Sequence, residues 1–174
     1  VIVVFTGPES TGKSTLSQAL AKHTQWPLYP ELARGLLENR SNDHGPRYWP
    51  RDLLRLLSQQ QDLERNLPED AHCILDTDLL TLLIWWQEKY GPAPDVFQHA
   101  WQNQAPRHYV LCEADLAWEA DPLRENPHDR GRLFELYHHE LSQRHCTFSV
   151  CSGEGQQRFE SVLRQLSAVT RLHL

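Results

Sequence analysis

Val1-Ile2-Val3-Val4-Phe5-Thr6, followed directly by Gly7-Pro8-Glu9-Ser10-Thr11-Gly12-Lys13-Ser14, is the stretch that decides the fold. A short, continuous, β-branched run reads as a strand buried on both faces, as in a parallel sheet. The residues after it fit G-x-x-x-x-G-K-[ST] at every fixed position. Residues 15–23 then read as a helix with Leu16, Ala19 and Leu20 on one face. Strand, glycine turn and helix in that order build a phosphate cradle. Glycine lets the backbone bend round an anion without Cβ clashes, and successive N–H groups at a helix N-terminus face it. Gly7, Glu9, Ser10, Thr11, Gly12, Lys13, Ser14 and Thr15 are therefore the expected contacts to ATP. Lys13 suits the β- and γ-phosphates, and the Ser14 hydroxyl suits Mg²⁺.

Outward from this loop, extended and helical segments alternate. Residues 26–30 read as extended, 31–39 as helix, 41–50 as a polar loop, and 51–67 as a helix with a leucine face. Residues 72–75 read as a core strand ending at Asp76, and 78–90 as an apolar helix broken by 91–94. Strands follow over 109–112 and 147–151, with helices over 133–145 and 157–172. This alternation predicts an α/β P-loop NTPase fold: one domain over 1–174, a parallel sheet of about five strands, and helices on both faces. Ligands of such sheets bind beyond the carboxyl ends of the strands.

The 174 residues carry a formal net charge of −6, which disfavours broad contact with a nucleic-acid backbone. No apolar run is long enough to span a bilayer, and the first residues lack the basic region of a secretory signal. The cysteines, Cys73, Cys112, Cys146 and Cys151, have no CxxC spacing, and three sit in strand-like apolar runs. They read as reduced structural thiols, as in a cytoplasmic protein.

A phosphate loop specifies a nucleotide and leaves the reaction open. Asp76 and Asp78 stand at a strand end. One division of labour gives Asp76 to Mg²⁺ and Asp78 to an acceptor hydroxyl; the other makes them a strand-end acid and a helix N-cap. Glu31 and Arg34 lie one helical turn apart, either as a surface ion pair or as contacts to acceptor and phosphate. The segment over about 119–132 is polar and rich in arginine and suits a lid, with Arg124, Arg130 and Arg132 as candidate cations. Gly153, after the last strand, is expected near the nucleotide base. Tyr29 and Tyr90 are candidates for stacking on a planar acceptor. Trp26, Trp85 and Trp86 read as packing residues, and His138, His139 and His145 as solvent-facing.

The succession GPESTGKST (7–15), YPELAR (29–34), ILDTD (74–78) and DPLREN (121–126), with arginines following, resembles the NadR-type ribosylnicotinamide kinase family, in its standalone form. The likeness runs in order from residue 1 to about 159. It implies ATP- and Mg²⁺-dependent phosphorylation of the 5′-hydroxyl of nicotinamide riboside, giving nicotinamide mononucleotide. It also implies functional roles for Lys13, Ser14, Glu31, Arg34, Asp76, Asp78 and Arg124. The better-known members carry Trp before the glutamate of the second motif, where this chain has Pro30, and their lid is longer. The alternatives are a nucleotide-dependent switch using the 41–50 loop, and a kinase for another nucleoside.

Overall fold

The computed structural model describes residues 1–39, 48–119 and 128–170. Strands β1 (Ile2–Thr6), β2 (Leu28–Tyr29), β3 (Cys73–Asp76), β4 (His108–Cys112) and β5 (Thr147–Cys151) form one parallel sheet in the order β2-β3-β1-β4-β5. The helices are α1 (Lys13–Thr24), α2 (Leu32–Asn39), α3 (Pro50–Arg65), α4 (Leu79–Tyr90), α5 (Asp95–Gln102), α6 (Arg130–Gln143) and α7 (Gly155–Thr170). Every residue of β1 is buried. Val3 and Phe5 point to the face covered by Leu16 and Leu20 of α1 and by Val162 and Leu166 of α7. Ile2 and Val4 point to the opposite face, against Leu80 and Ile84 of α4 and Tyr137 and Leu141 of α6. This is why the run is apolar without alternation: a strand covered on both sides must be apolar at every position.

The chain leaves β3 on one side of β1 and reaches β4 on the other. The crevice above β1, where that switch occurs, is where ligands of open α/β sheets bind. Register brings Phe5 level with Asp76 and Thr6 level with Leu111, so the loops after β1, β3 and β4 share one edge.

Three differences from the sequence expectations have physical causes. Helix α5, unforeseen, lies in a stretch preceded by Pro92 and Pro94; Pro94 is its N-cap, and Phe97 and Ala100 bury one face of it. Helix α6 begins at Arg130, earlier than residue 133, so the described end of the expected lid is already helical. His138 is half-buried between Phe134 and Phe148 rather than solvent-facing. The four cysteines are free thiols. Among the described residues, no helix is long and apolar enough to cross a membrane.

Candidate active site

The phosphate loop turns between β1 and α1. Gly7 has φ +129°, and a Cβ there would stand 2.7 Å from the Cys112 carbonyl oxygen, so a side chain is excluded. Gly12 takes φ +78° and ends the turn at the start of α1. The Pro8 carbonyl accepts from Thr11 Oγ1 at 2.8 Å and from Lys13 Nζ at 2.5 Å. Ser14 Oγ donates to Asp76 Oδ2 at 2.6 Å, joining the loop to the end of β3. The other oxygen, Asp76 Oδ1, is buried without a hydrogen-bond partner among the described residues. A hydroxyl beside a carboxylate with an unused oxygen suits Mg²⁺, which takes one or two protein oxygens and completes its shell with water and phosphate.

A cavity of about 530 Å³ opens above this loop, within the range of small-molecule sites. The loop residues from Gly7 to Thr15 line it. Glu31 and Arg34 line it from the start of α2. Thr81, Ile84, Trp85 and Glu88, spaced as one face of α4, form the other wall. Tyr48 stacks on Trp85 with ring centroids 5.2 Å apart, and Lys89 Nζ stands 4.0 Å from the Tyr48 ring centre. Burial raises the Glu31 pKa; Lys13 pulls it down, and Asp76 pushes it up further. Glu31 is thus a half-buried carboxylate in the field of the phosphate loop and Asp76.

Asp78 is placed elsewhere. Thr77 adopts φ +69°, uncommon for a β-branched residue, and turns the chain between the two aspartates. Asp78 then points inward. Its Oδ1 caps α4 at the Leu80 N–H, 3.0 Å away. Its Oδ2 accepts from Tyr109 at 2.8 Å and from Arg107 at 3.1 Å, while Arg107 grips Glu64 with both terminal nitrogens. Burial pushes the Asp78 pKa up against the pull of Arg107. The residue is 2% exposed and does not line the cavity; of the two readings left open for it, this placement favours the buried helix cap and ion partner. Removing one partner of such a pair costs about 3–5 kcal/mol. Asp78→Ala is accordingly expected to lose about that much unfolding free energy in urea titrations. Asp78→Asn, which keeps the cap acceptor, should lose less and retain a near-normal turnover per folded molecule. A large fall in kcat at unchanged stability would restore Asp78 to the reacting centre.

Other expectations are also relocated. Tyr90 donates its hydroxyl to the Tyr48 carbonyl at 2.7 Å, so it holds the residue that stacks on Trp85. Tyr29 packs against the core under the sheet, away from the cavity. Gly153 donates its N–H to Asp115 Oδ2, and Gly155 lines the cavity in its place. Arg34 makes an i,i+4 pair with Glu38 at 3.7 Å while facing the cavity. The Arg130 guanidinium donates to the carbonyls of Ser10 and Leu116, at 2.9 Å each, and is thereby turned to the loop backbone. Arg132 binds Asp129 and Glu88 at the surface. Arg124 lies outside the described residues.

With this geometry in hand, comparison with known proteins is informative. A family model described as an AAA domain matches residues 2–158. The chain belongs to this AAA-domain family. A search of curated protein sequences found no match. Among solved structures, a NadR protein in complex with NR superposes with a TM-score of 0.78 at 21% identity, covering 98% of this chain and 52% of that one. The chain thus spans about half the length of that NadR protein. Deoxyadenosine kinase from M. mycoides matches with a TM-score of 0.65, 16% identity, 97% of this chain and 100% of that one. Thymidylate kinase from Ehrlichia chaffeensis matches with 0.70, 12%, 95% and 98%. The fold is therefore the α/β P-loop fold of these kinases, and the NadR-type likeness read from the motifs extends to the whole architecture.

Within this AAA-domain chain, the sequence reading missed Tyr48, Trp85, Lys89 and Arg158 as site residues. Tyr48 ends a polar loop, and its aromatic neighbour Trp49 was the available clue. Trp85 sits in the run Leu79–Trp86, apolar but for Thr81, where no pattern marks the cavity face. Arg158 makes its contacts 147 residues away in sequence, at Thr11.

Proposed function

We propose that this protein is an ATP-dependent small-molecule kinase whose acceptor is a nucleoside, most specifically the 5′-hydroxyl of nicotinamide riboside. One observation carries the reading. One cavity is lined by the phosphate loop, by the stacked pair Tyr48 and Trp85, and by Glu31, which lies in the field of Lys13 and Asp76. A planar heterocycle against the wall directs its ribose toward Glu31 and the loop. An electron-rich aromatic wall also favours a cationic ring. NadR, bound to NR in its crystal structure, supports the same acceptor. Tyr48 and Trp85 supply aromatic surface that Pro30 lacks.

In line transfer requires positioning and charge stabilisation more than covalent chemistry. The loop amides and Lys13 hold the phosphates. Glu31 orients the acceptor hydroxyl and takes its proton. Ser14 and Asp76 would hold Mg²⁺, which would offset the charge of the phosphates. Arg34 and Lys89 favour a second reading on the same wall, an acceptor that already carries a phosphate, as a thymidylate kinase substrate does.

The test is ADP release with Mg²⁺-ATP across nicotinamide riboside, adenosine, thymidine, their monophosphates and no acceptor. Release confined to nicotinamide riboside is the expected result. Preference for a monophosphate selects the second reading, and equal release without acceptor contradicts both. Stacking on an aromatic side chain contributes about 1–3 kcal/mol. Trp85→Ala should therefore raise the acceptor KM about tenfold or more and leave the ATP KM within about twofold.

A further inference from the structure

A phosphate loop binds anions only if its N–H groups face inward, and a trans peptide then sends the carbonyl of the preceding residue outward. Those outward carbonyls need partners of their own, since buried backbone oxygens are seldom left unpaired. In this protein two arginines meet adjacent ones. Arg130, at the start of α6, donates to the Ser10 carbonyl at 2.9 Å. Arg158, in the first turn of α7, donates to the Thr11 carbonyl at 3.0 Å. Fixing the Ser10 carbonyl fixes the Thr11 N–H, and fixing the Thr11 carbonyl fixes the Gly12 N–H.

Both arginines are themselves held. Arg158 is 3% exposed, and beyond Thr11 its two terminal nitrogens reach Asp115 Oδ1 at 2.5 Å, the Gly153 carbonyl at 2.6 Å and the Glu113 carbonyl at 3.1 Å, while its Nε has no partner among the described residues. Asp115 in turn accepts from the Gly153 N–H at 2.6 Å. One guanidinium thereby joins the loops after β1, β4 and β5. Arg130 reaches the Leu116 carbonyl at 2.9 Å in the same post-β4 segment and lies over the Trp118 ring, 5.6 Å from its centre. A planar fork of five donors suits such multiple capture, and an ammonium does not.

We infer that Arg130 and Arg158 are positioning residues, a rear clamp that holds the Thr11 and Gly12 N–H groups in their anion-binding orientation before nucleotide arrives. They act through the loop backbone, although Arg158 also lines the cavity. The inference rests on the nucleotide-binding part of the function proposed above and not on the acceptor.

The experiment is direct binding of ADP and of AMP to the full chain by calorimetry. The variants are Arg158→Lys, Arg158→Gln, Arg130→Gln and the milder Asp115→Asn, each checked for folding by thermal melting. Loop amides serve the phosphate beyond the α-position, so the clamp should matter more to ADP than to AMP. Arg130→Gln and Arg158→Gln are expected to raise the ADP Kd about tenfold or more and the AMP Kd less than about threefold. Arg158→Lys should fall between, and Asp115→Asn should give the same ADP-selective pattern with a smaller amplitude. Wild-type-like ADP affinity in folded variants overturns the inference, and so does an equal loss for ADP and AMP, which marks general structural damage. If Arg158→Gln does not fold, Asp115→Asn and Arg130→Gln decide by the same criterion. Failure of the wild-type chain to bind ADP overturns the clamp and the nucleotide reading together. ADP-selective losses in a chain that phosphorylates no acceptor uphold the clamp and strike the kinase assignment alone.

Discussion

Lys13→Ala should lower phosphoryl transfer about 10³-fold while leaving the melting temperature close to that of the wild type. Loss of a single preorganised donor at a site of developing charge costs about 10²–10³ in rate, and Lys13 also carries a full charge. Its structural share is small. In the ligand-free geometry the ammonium donates to the Pro8 carbonyl, which also accepts from Thr11 Oγ1, so that carbonyl keeps a partner in the variant. Steady-state rates with saturating acceptor, beside a thermal melt, separate the two effects. Turnover within tenfold of wild type would mean that the loop does not hold the transferring phosphate.

Glu31→Gln is the second large effect. A positioned general base contributes about 10²–10⁴ in rate. The expected result is a fall in kcat of at least about 10²-fold with the ATP affinity changed far less, because the role proposed for Glu31 is on the acceptor hydroxyl. The pH dependence supplies a separate check. Burial raises the Glu31 pKa, with Asp76 adding to the rise and Lys13 opposing it. Only the deprotonated carboxylate accepts the proton. Wild-type kcat should therefore fall as pH drops through a pKa above the ordinary glutamate value of about 4.3, and Glu31→Gln should lose that acidic limb. An unchanged limb in the variant would assign the titration to another group.

The parts of this protein legible in its sequence are those encoded locally. The core strands appear as apolar runs because both faces of the sheet are covered, and the phosphate loop appears because its glycines and Lys13 are fixed by the ligand it is built for. The Ser14–Asp76 contact could be anticipated from one register fact, that β1 and β3 end on the same edge. The sequence left two readings of Asp78 open because the letters of Asp76-Thr77-Asp78 do not show the positive φ of Thr77, which sends the second carboxylate inward to Arg107. The aromatic wall was hidden for another reason: Tyr48 and Trp85 meet only when the start of α3 packs against α4. Arg158 reads as one polar residue of an amphipathic helix, and its partners Thr11, Glu113 and Asp115 lie on loops far away in the chain. Helix α5 escaped because the prolines before it signal a break as strongly as they signal a helix start.

The most direct measurement is mass analysis of nicotinamide riboside after incubation with the chain, Mg²⁺ and ATP labelled with ¹⁸O in its γ-phosphoryl group. The assignment predicts a mononucleotide carrying the labelled phosphoryl group, formed in step with ADP and absent with Lys13→Ala. Unchanged nicotinamide riboside, with labelled inorganic phosphate accumulating at the same rate whether or not it is present, would contradict the kinase assignment and leave a nucleotide hydrolase.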